Sequence, residues 1–480
     1  MEATELWRLS AGALRSAYAA KHATPSDVTE AILARIAARD GAFGAVVTLD
    51  IAGARRDAAA ADAAWRSGNP PPLCGIPLTV KDLIFTKGLR TAGGSRLFAD
   101  FVPDADSAVI ERVRAAGAIV LGKSATCEFG HKFTGDSALF GACRNPWDVT
   151  KTTGGSSGGA GAALAAGFGP LALGTDALGS IRVPSSFCGV IGIKPTYGLV
   201  PRAPGFAPPS WDSLAHTGPM ARTPADAALL LALIVGSDAR DRMSVDAPER
   251  FVYDRAAFEA IARDPATALA GVRIGFSPDL GYAAVDPEVA AIVARAVGAL
   301  GACGAWIDAS DPGFSDPLEN VLYPIGMSEL RASRAADTPQ EQALLDPTLR
   351  AALAAAPEWS AVDYVRAGYG RSAIWHAMTA FFETHDLLAT PTVAVPAFES
   401  GEIGVDTVAG RPVQKHLGWS PFTFPFNLCG LPAASIPCGL TAAGLPVGLQ
   451  LVGPRFSESR ILRAAAAFEA VRPWWPFAPG

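Results

Sequence analysis

The sequence predicts an α/β protein built as one large layered unit. Apolar, strand-like segments alternate with helix-like segments from end to end, and no linker or internal repeat interrupts them. Half of the 480 residues are hydrophobic and only 18% are charged, whereas an average soluble domain carries roughly 25% charged residues. The 49 glycines and 38 prolines indicate many turns and argue against a helical bundle. These observations together favour one core around a largely buried sheet.

The elements of this unit follow from apolar periodicity and from capping residues. The segment 25–39 is predicted as a helix because Thr24 provides an N-cap and Pro25 suits the first turn. The segment 76–80 is a short apolar run that predicts a buried strand ending at Lys81. The other predicted helices are 4–20, 51–65, 107–116, 158–167, 223–235, 287–301 and 457–471, and the other predicted strands are 43–49, 118–121, 170–173, 272–276, 387–390 and 434–436.

Two segments, 240–265 and 308–420, are more polar and less regular than the rest. We interpret both as peripheral parts of a single domain that spans residues 1–480. Irregular surface segments on a rigid scaffold commonly carry binding residues, so 308–420 is predicted to select the substrate.

Composition excludes several classes of partner. The net charge of −6 leaves no basic field for a phosphate backbone, so no nucleic-acid partner is expected. The seven cysteines form no C-x-x-C, which favours buried free thiols in a reducing compartment. The acidic start shows no signal peptide, and the uncharged stretches 152–175 and 427–453 are too rich in small residues or proline for a membrane span. A cytoplasmic protein without a membrane partner is therefore predicted.

Some recognisable motifs are better explained as ordinary structure. The six histidines do not cluster with metal-ligand spacing, so neither a metal nor a cofactor is expected. Residues 117–124 match G-x4-G-K-S, but the intervening apolar run predicts a strand rather than a phosphate-binding loop. Residues 154–158 match G-x-S-x-G, yet 144–148 upstream is predicted as a loop, whereas a nucleophile elbow needs a strand there.

Lysine is scarce, and its placement draws attention to one position. Only eight lysines occur, and Lys81 ends an apolar strand. A lysine that enters a core loses hydration, its pKa falls, and the neutral amine can act as a general base. The alternative is a lysine whose ammonium reaches water or pairs with Asp82. The Gly/Ser-rich runs 152–159 and 174–184 offer hydroxyls and backbone amides for a nucleophile and an oxyanion hole, or else form tight turns that cap helices.

Taken together, these segments closely resemble the amidase signature family over nearly the whole chain. The segments that carry the resemblance are 74–82 (CGIPLTVKD), 122–124 (GKS), 128–129, 144–147 (RNPW), 154–159 (GGSSGG), 174–184 (GTDALGSIRVP), 187–196 (FCGVIGIKPT) and 444–450 (GLPVGLQ). The resemblance implies a central mixed, twisted β-sheet covered by helices on both faces.

The resemblance also implies a Ser–cis-Ser–Lys triad. Ser180 matches the nucleophile, Ser156 the bridging serine that follows a cis bond from Gly155, and Lys81 the base. Ser157 is expected to hydrogen-bond Lys81. Residues expected to support the reaction are the backbone N–H groups of Ala177, Leu178, Gly179 and Ser180 as oxyanion donors, with Thr175, Asp176 and Arg182 as braces of the loop.

One residue departs from the family pattern. Leu178 stands where the family usually has the first of two glycines before the nucleophile, and a side chain there restricts φ. Either the local φ is ordinary, or the oxyanion loop differs slightly. The leucine is also a candidate to narrow the acyl side of the pocket.

The implied activity is hydrolysis of an aryl or acyl amide through a seryl acyl-enzyme, with a small-molecule amide as the partner. A carbamate, urethane or ester hydrolase with the same triad is an open alternative. The glutaminase subunits of tRNA-dependent glutamine amidotransferases share the motifs, but they place an acid three residues before a threonine where this chain has Ser420 before Thr423. Four aromatic residues are candidates to line the pocket, either there or as simple packing: Phe133, Phe206, Trp211 and Trp419. A monomer or homodimer is expected.

Overall fold

The structure is a computed structural model that describes residues 3–207, 211–249, 251–474 and 477–478. Its strands are β1 (Val46–Leu49), β2 (Pro77–Lys81), β3 (Ile119–Ser124), β4 (Arg144–Asn145), β5 (Asp148–Thr152), β6 (Leu171–Asp176), β7 (Ile191–Lys194), β8 (His216–Ala221), β9 (Arg273–Phe276), β10 (Trp306–Ala309), β11 (Leu387–Pro391), β12 (Thr407–Val408), β13 (Arg411–Pro412), β14 (Ala433–Leu440) and β15 (Pro446–Val452).

Eleven of the strands in these ranges form one sheet in the order β1-β3-β2-β6-β8-β7-β14-β15-β11-β9-β10. Strand β2 runs parallel to both β3 and β6, whereas β6, β8, β7, β14, β15 and β11 pair antiparallel in succession. The predicted mixed sheet is therefore confirmed. The remaining strands make two small hairpins, β4–β5 and β12–β13.

Helices pack around this sheet. They are α1 (Ala11–Ala19), α2 (Pro25–Phe43), α3 (Ile51–Ser67), α4 (Ala108–Ala115), α5 (Gly158–Ala166), α6 (Arg182–Cys188), α7 (Pro224–Ile234), α8 (Arg255–Arg263), α9 (Pro287–Ala302), α10 (Tyr323–Arg334), α11 (Pro339–Leu344), α12 (Pro347–Ala355), α13 (Ala361–Phe381), α14 (Pro425–Leu428) and α15 (Glu458–Val471).

Both faces of the sheet are buried, as strand β11 illustrates. Leu387 and Ala389 join one apolar cluster, which also contains residues of α7, α9 and α15. Leu388, which points to the opposite face, joins a second cluster with residues of α10 and α13. Because successive residues of the strand are buried in different cores, the sheet lies between two helical layers.

Two sequence predictions about elements are wrong. The predicted helix 4–20 is divided into a 3-10 turn, Ala3–Arg8, and α1, because the Ser10 hydroxyl caps a new helix by accepting the N–H of Ala13 at 3.1 Å. The segment 308–420 is not irregular: it contains α10–α13 and the sheet strand β11.

Two further predictions are that the cysteines are buried free thiols and that the chain has no membrane span. All seven cysteines are free, and only Cys429 is less than fully buried. No helix among the residues described is both long and apolar enough to cross a bilayer.

Candidate active site

The strand order places Lys81 beside the end of β6. Strands β2 and β6 are parallel neighbours with Val80 opposite Leu173, so their carboxyl ends meet at one edge of the sheet. The Lys81 Nζ donates to Ser156 Oγ at 2.6 Å and to Thr175 Oγ1 at 2.9 Å, and it lies 3.3 Å from the Thr175 carbonyl oxygen. Thr175, which is expected to support the loop, therefore contacts the lysine amine directly.

Burial changes the acid–base chemistry of this amine. Lys81 is 0% exposed. Desolvation lowers the pKa of Lys81 from 10.5 to about 7, although the nearby Cys127 thiol and Asp176 carboxylate partly oppose that shift. A lysine with a pKa near neutrality is available as an unprotonated base at physiological pH.

The loop before α5 carries Ser156, the serine expected to bridge Lys81 and Ser180. The peptide bond between Gly155 and Ser156 is cis. A Cβ atom at Gly155 would overlap the carbonyl group of Thr134, so close backbone approach explains why glycine is needed there. Ser156 is 1% exposed and forms part of the wall of a cavity.

Ser157 does not make the contact expected from the resemblance. Its hydroxyl donates to the Thr175 carbonyl at 3.1 Å and accepts the Thr175 N–H at 3.3 Å, instead of bonding Lys81. Its backbone N–H donates to the Ser180 carbonyl at 3.0 Å. The lysine amine donates to Thr175 Oγ1 and not to Ser157. Ser157 instead connects the end of β6 to the segment that carries Ser180.

The segment 177–180 presents free backbone donors. Among the described residues, no acceptor takes the N–H groups of Ala177, Leu178, Gly179 or Ser180, whereas the next N–H, that of Ile181, donates to Asp176 Oδ2 at 3.2 Å. A row of unengaged amides beside a serine is the arrangement that stabilises an oxyanion.

Glycine is required at position 179 rather than 178. Gly179 has φ +147°, and a Cβ atom there would lie 2.5 Å from Thr423 Oγ1. Leu178 does not have a positive φ, so its backbone is ordinary for a leucine. Its side chain is buried in the second apolar cluster and does not form part of the cavity wall, so the expectation that it narrows the pocket is wrong.

A buried ion pair braces this loop, as predicted for Asp176 and Arg182. Arg182 Nε and Nη2 donate to the two Asp176 carboxylate oxygens at 3.0 Å each, and neither side chain is exposed. Burial alone would raise the pKa of Asp176, but the Arg182 charge and its hydrogen bonds hold that pKa well below its usual range. Asn427 donates to Asp176 Oδ1 at 2.9 Å, and Gln450 Oε1 accepts from Arg182 Nη1 at 2.8 Å.

Ser156 and Ser180 open into one cavity of about 380 Å³, a size suited to a small molecule. Phe129, Phe206 and Trp211 are among the apolar residues of its wall. Within the described ranges its wall comes from segments 83–130, 156–180, 197–217 and 240–243. Residues of 308–420 lie behind this wall: a Cβ atom on Gly326 would be 2.7 Å from the Trp211 ring.

Two of the four aromatic candidates line the cavity and two do not. Phe206 packs among four other phenylalanine rings, with centroid distances of 5.0–6.0 Å, and Trp211 adopts a φ of +59°, which is uncommon for a residue other than glycine. Phe133 instead packs edge-on against Trp419, and Trp419 stacks on Phe187 at 5.8 Å. These last two are core residues, so their predicted substrate contact is wrong.

Sequence reasoning gave no role to Asn427 and Gln450, which fix the brace. A signal was present: both are amide side chains at the two ends of the uncharged stretch 427–453, where every neighbour is apolar or small. A polar group in such a stretch needs a buried partner.

The motif match at 117–124 lies in β3, where Lys123 donates to the Ile84 carbonyl and to Thr86 Oγ1, so it is a strand as predicted.

Comparison with known proteins identifies the family of the chain. The Amidase family matches residues 27–462. An acylamidase from Rhodococcus erythropolis is 35% identical over 468 residues, which cover 97% of this chain and 96% of the relative. A glutamyl-tRNA(Gln) amidotransferase subunit from Moorella thermoacetica (strain ATCC 39073 / JCM 9320) is 37% identical over 490 residues, covering 97% of each chain.

The crystal structure of a bacterial aryl acylamidase of the amidase signature family superposes with a TM-score of 0.87 at 28% identity, covering 97% of this chain and 96% of that one. The chain therefore belongs to the Amidase family, as its motifs led us to expect. It is an enzyme that hydrolyses the carbon–nitrogen bond of amides.

Proposed function

We propose that the chain cleaves small aryl or acyl amides through an acyl-enzyme on Ser180, with Ser156 as the bridging serine and Lys81 as the base. The observation that carries this proposal is the buried Lys81–Ser156 hydrogen bond of 2.6 Å on the wall of the cavity that also holds Ser180.

The first half of the reaction forms the acyl-enzyme. Neutral Lys81 takes the proton of Ser156, and Ser156 takes the proton of Ser180 as the Ser180 oxygen attacks the amide carbonyl. The N–H groups of 177–180 receive the developing oxyanion; one such donor is worth about 3 kcal/mol in comparable sites. Reverse proton transfer through Ser156 protonates the leaving nitrogen, the C–N bond breaks, and the acyl group remains on Ser180 as an ester.

The second half releases the acid. A water molecule gives its proton to the same relay and attacks the ester, and the returning proton restores the Ser180 hydroxyl. Among the described residues no hydrogen bond joins Ser180 Oγ to Ser156 Oγ. The mechanism therefore requires the two hydroxyls to come into contact when substrate binds, in keeping with catalytic hydrogen bonds that tighten only in the Michaelis complex.

The aromatic wall supports an apolar substituent on the substrate. Phe206 and Trp211 lie on the same cavity as the serines, and flat rings favour stacking or edge contacts with an aryl or alkyl group. The acyl-enzyme route also accommodates carbamates and esters, because only the leaving group differs.

A glutaminase role is the second candidate, favoured by the likeness to the glutamyl-tRNA(Gln) amidotransferase subunit. Against it, Ser420 is fully buried and its hydroxyl pairs with Thr423 Oγ1 at 3.1 Å, so this position carries no charge for an amino group. Release of ammonia from glutamine and co-purification with other subunits would favour this candidate over a stand-alone amidase.

The test is a panel of anilides, aliphatic amides, glutamine and carbamates, read by turnover and by the intact mass of the enzyme. Ser180→Ala is expected to abolish turnover of every substrate and the acyl adduct, because no other group forms the ester. Unchanged turnover in this variant would refute the proposal. Ser185→Ala, five positions away and buried outside the cavity, is the matched control.

We further propose that the protein works in a reducing compartment, a proposal supported by the seven free thiols.

A further inference from the structure

The cavity that holds Ser156 and Ser180 also reaches the first turn of α4. Ser107 and Val109 form part of its wall. Ser107 is 1% exposed, and its hydroxyl has no hydrogen-bond partner in the part of the chain that the structure describes. A serine directly before a helix normally accepts a backbone N–H of the first turn, and here that bond is absent among the described residues.

The N–H groups of this turn leave one donor unused. The N–H of Ala108 donates to the Ala203 carbonyl at 3.0 Å, and those of Ile110 and Glu111 donate to the Ser107 carbonyl at 2.9 and 3.0 Å. The Val109 N–H has no acceptor within the described ranges. A hydroxyl and an amide are thus both available on the cavity wall at the positive end of a helix.

Arg202 contributes a guanidinium to the wall of the same cavity. Its neighbour in the chain, Ala203, accepts the Ala108 N–H at the start of α4, so the backbone of this segment is tied to the first turn of the helix. Only Nη1 of Arg202 is engaged, with the Asp212 carbonyl at 3.3 Å and the Asp212 carboxylate at 3.9 Å. Its Nε and Nη2 have no partner among the residues described.

The other charged residues on this part of the wall are already engaged. Arg240 pairs with Glu111 and Asp238, and Arg242 pairs with Asp212. Asp241 accepts the N–H groups of Arg202 and Met243 at 2.7 and 3.0 Å. What remains unengaged is a set of donors, which calls for an oxygen acceptor.

We infer that this set is a subsite for a carboxylate carried by the amide substrate on the part away from the scissile bond. The Ser107 hydroxyl, the Val109 N–H and the Arg202 guanidinium bind its two oxygens, while the apolar wall holds the group between them and Ser180. A monoanion suits the subsite better than a dianion, because Asp212 and Asp241 lie on the same wall. This inference rests on the proposed function of the same cavity.

The experiment compares matched substrates that differ only in this group. One pair is 4-acetamidobenzoate and its carboxamide, with the charge on the leaving side; the other is N-phenylsuccinamate and its carboxamide, with the charge on the acyl side. The wild-type enzyme is expected to favour the carboxylate of at least one pair in kcat/KM by about tenfold or more, the scale of a charge-assisted hydrogen bond.

Ser107→Ala and Arg202→Gln are each expected to reduce that ratio several-fold by raising KM for the carboxylate. Thr29→Val is the matched control, because the Thr29 hydroxyl in α2 is likewise buried and without a partner among the described residues but lies outside the cavity; it should keep the wild-type ratio. Arg202 is partly exposed, so its variant retains the test should Ser107→Ala not fold.

Two results would overturn the inference: no preference for either carboxylate in the wild type, or a preference that survives in both variants. Failure of the proposed function looks different, since Ser180→Ala would then still hydrolyse both members of a pair. A preference that falls in the Ser107 and Arg202 variants while Ser180→Ala is inactive supports both.

Discussion

Replacing Lys81 with methionine is expected to stabilise the folded chain near neutral pH while abolishing turnover. Burial lowers the pKa of Lys81 from 10.5 to about 7. At about 1.4 kcal/mol for each pKa unit, holding this amine in the core costs roughly 5 kcal/mol at pH 7 or below. Methionine removes that cost but leaves Ser156 and Thr175 without their donor, a loss of about 1–3 kcal/mol. A net gain of about 2–4 kcal/mol in the free energy of unfolding follows.

The gain depends on pH in a defined direction. Between pH 7 and 10.5 the unfolded chain carries a proton on Lys81 that the folded chain lacks, and stability rises with pH wherever the unfolded state binds more protons. The wild type therefore gains on the variant through this window. The advantage of Lys81→Met is largest at or below pH 7 and is lost before pH 10.5, where the wild type becomes the more stable protein by about 1–3 kcal/mol, the contribution of the missing hydrogen bonds.

The measurements are urea unfolding of both proteins at a series of pH values and the pH profile of wild-type kcat/KM. The wild-type profile should rise with pH and level off above about 7, where Lys81 is neutral. Lys87→Met, at an exposed position, controls for the loss of a lysine as such. A Lys81→Met protein that is less stable than the wild type at pH 7, by an amount unchanged up to pH 10, would refute the reasoning.

Two further substitutions probe the oxyanion loop. Gly179→Ala should reduce kcat at least a hundredfold and destabilise the fold by about 1–3 kcal/mol, because φ is +147° and the new Cβ meets Thr423. Gly444→Ala is the control for backbone strain alone, because Gly444 has a positive φ but lies in open space. Equal effects of the two substitutions on activity would contradict the role of the clash with Thr423. Arg182→Met should cost about 3–5 kcal/mol by leaving Asp176 charged and buried, and thermal unfolding at pH 7 that matches the wild type would show that the ion pair does not brace the loop.

The strand that carries Lys81 was predictable because its signal is local. An apolar run that ends in a charged residue specifies both a buried strand and the residue at its edge, and β2 ends at Lys81 as expected. The partner of that residue is not local. Thr175 rather than Ser157 meets the lysine amine because β6 lies parallel beside β2, and strand order is not contained in either segment.

The aromatic residues show the same limit. Phe133, Phe206, Trp211 and Trp419 are equivalent in composition, and nothing in their neighbours distinguishes a ring in the core from a ring on a cavity. Trp419 is fully buried because the rings of Phe187, which lies far away in sequence in α6, and of Phe398 pack against it. The polarity of segment 308–420 predicts irregular structure, but that polarity belongs to the exposed faces of helices.

The scarcity of lysine draws attention to Lys81 as the proposed base, whereas a depressed pKa alone does not distinguish it. Burial also lowers the pKa of Lys123 and of Lys194 to about 7. Lys123 donates to the Ile84 carbonyl and Thr86, beside the Asp82 carboxylate, and Lys194 donates to the Leu431 carbonyl. Lys194 also lies 3.4 Å from His216 Nε2, but neither His216 nor Thr86 lines the cavity of Ser180, whereas Lys81 bonds a serine that does. All three lysines are similarly desolvated, so the contacts of the amine, and not its pKa, distinguish the proposed base. A titration of the folded enzyme that finds a lysine pKa near 7 therefore has to be repeated on the Lys81 variant before that pKa can be assigned to Lys81.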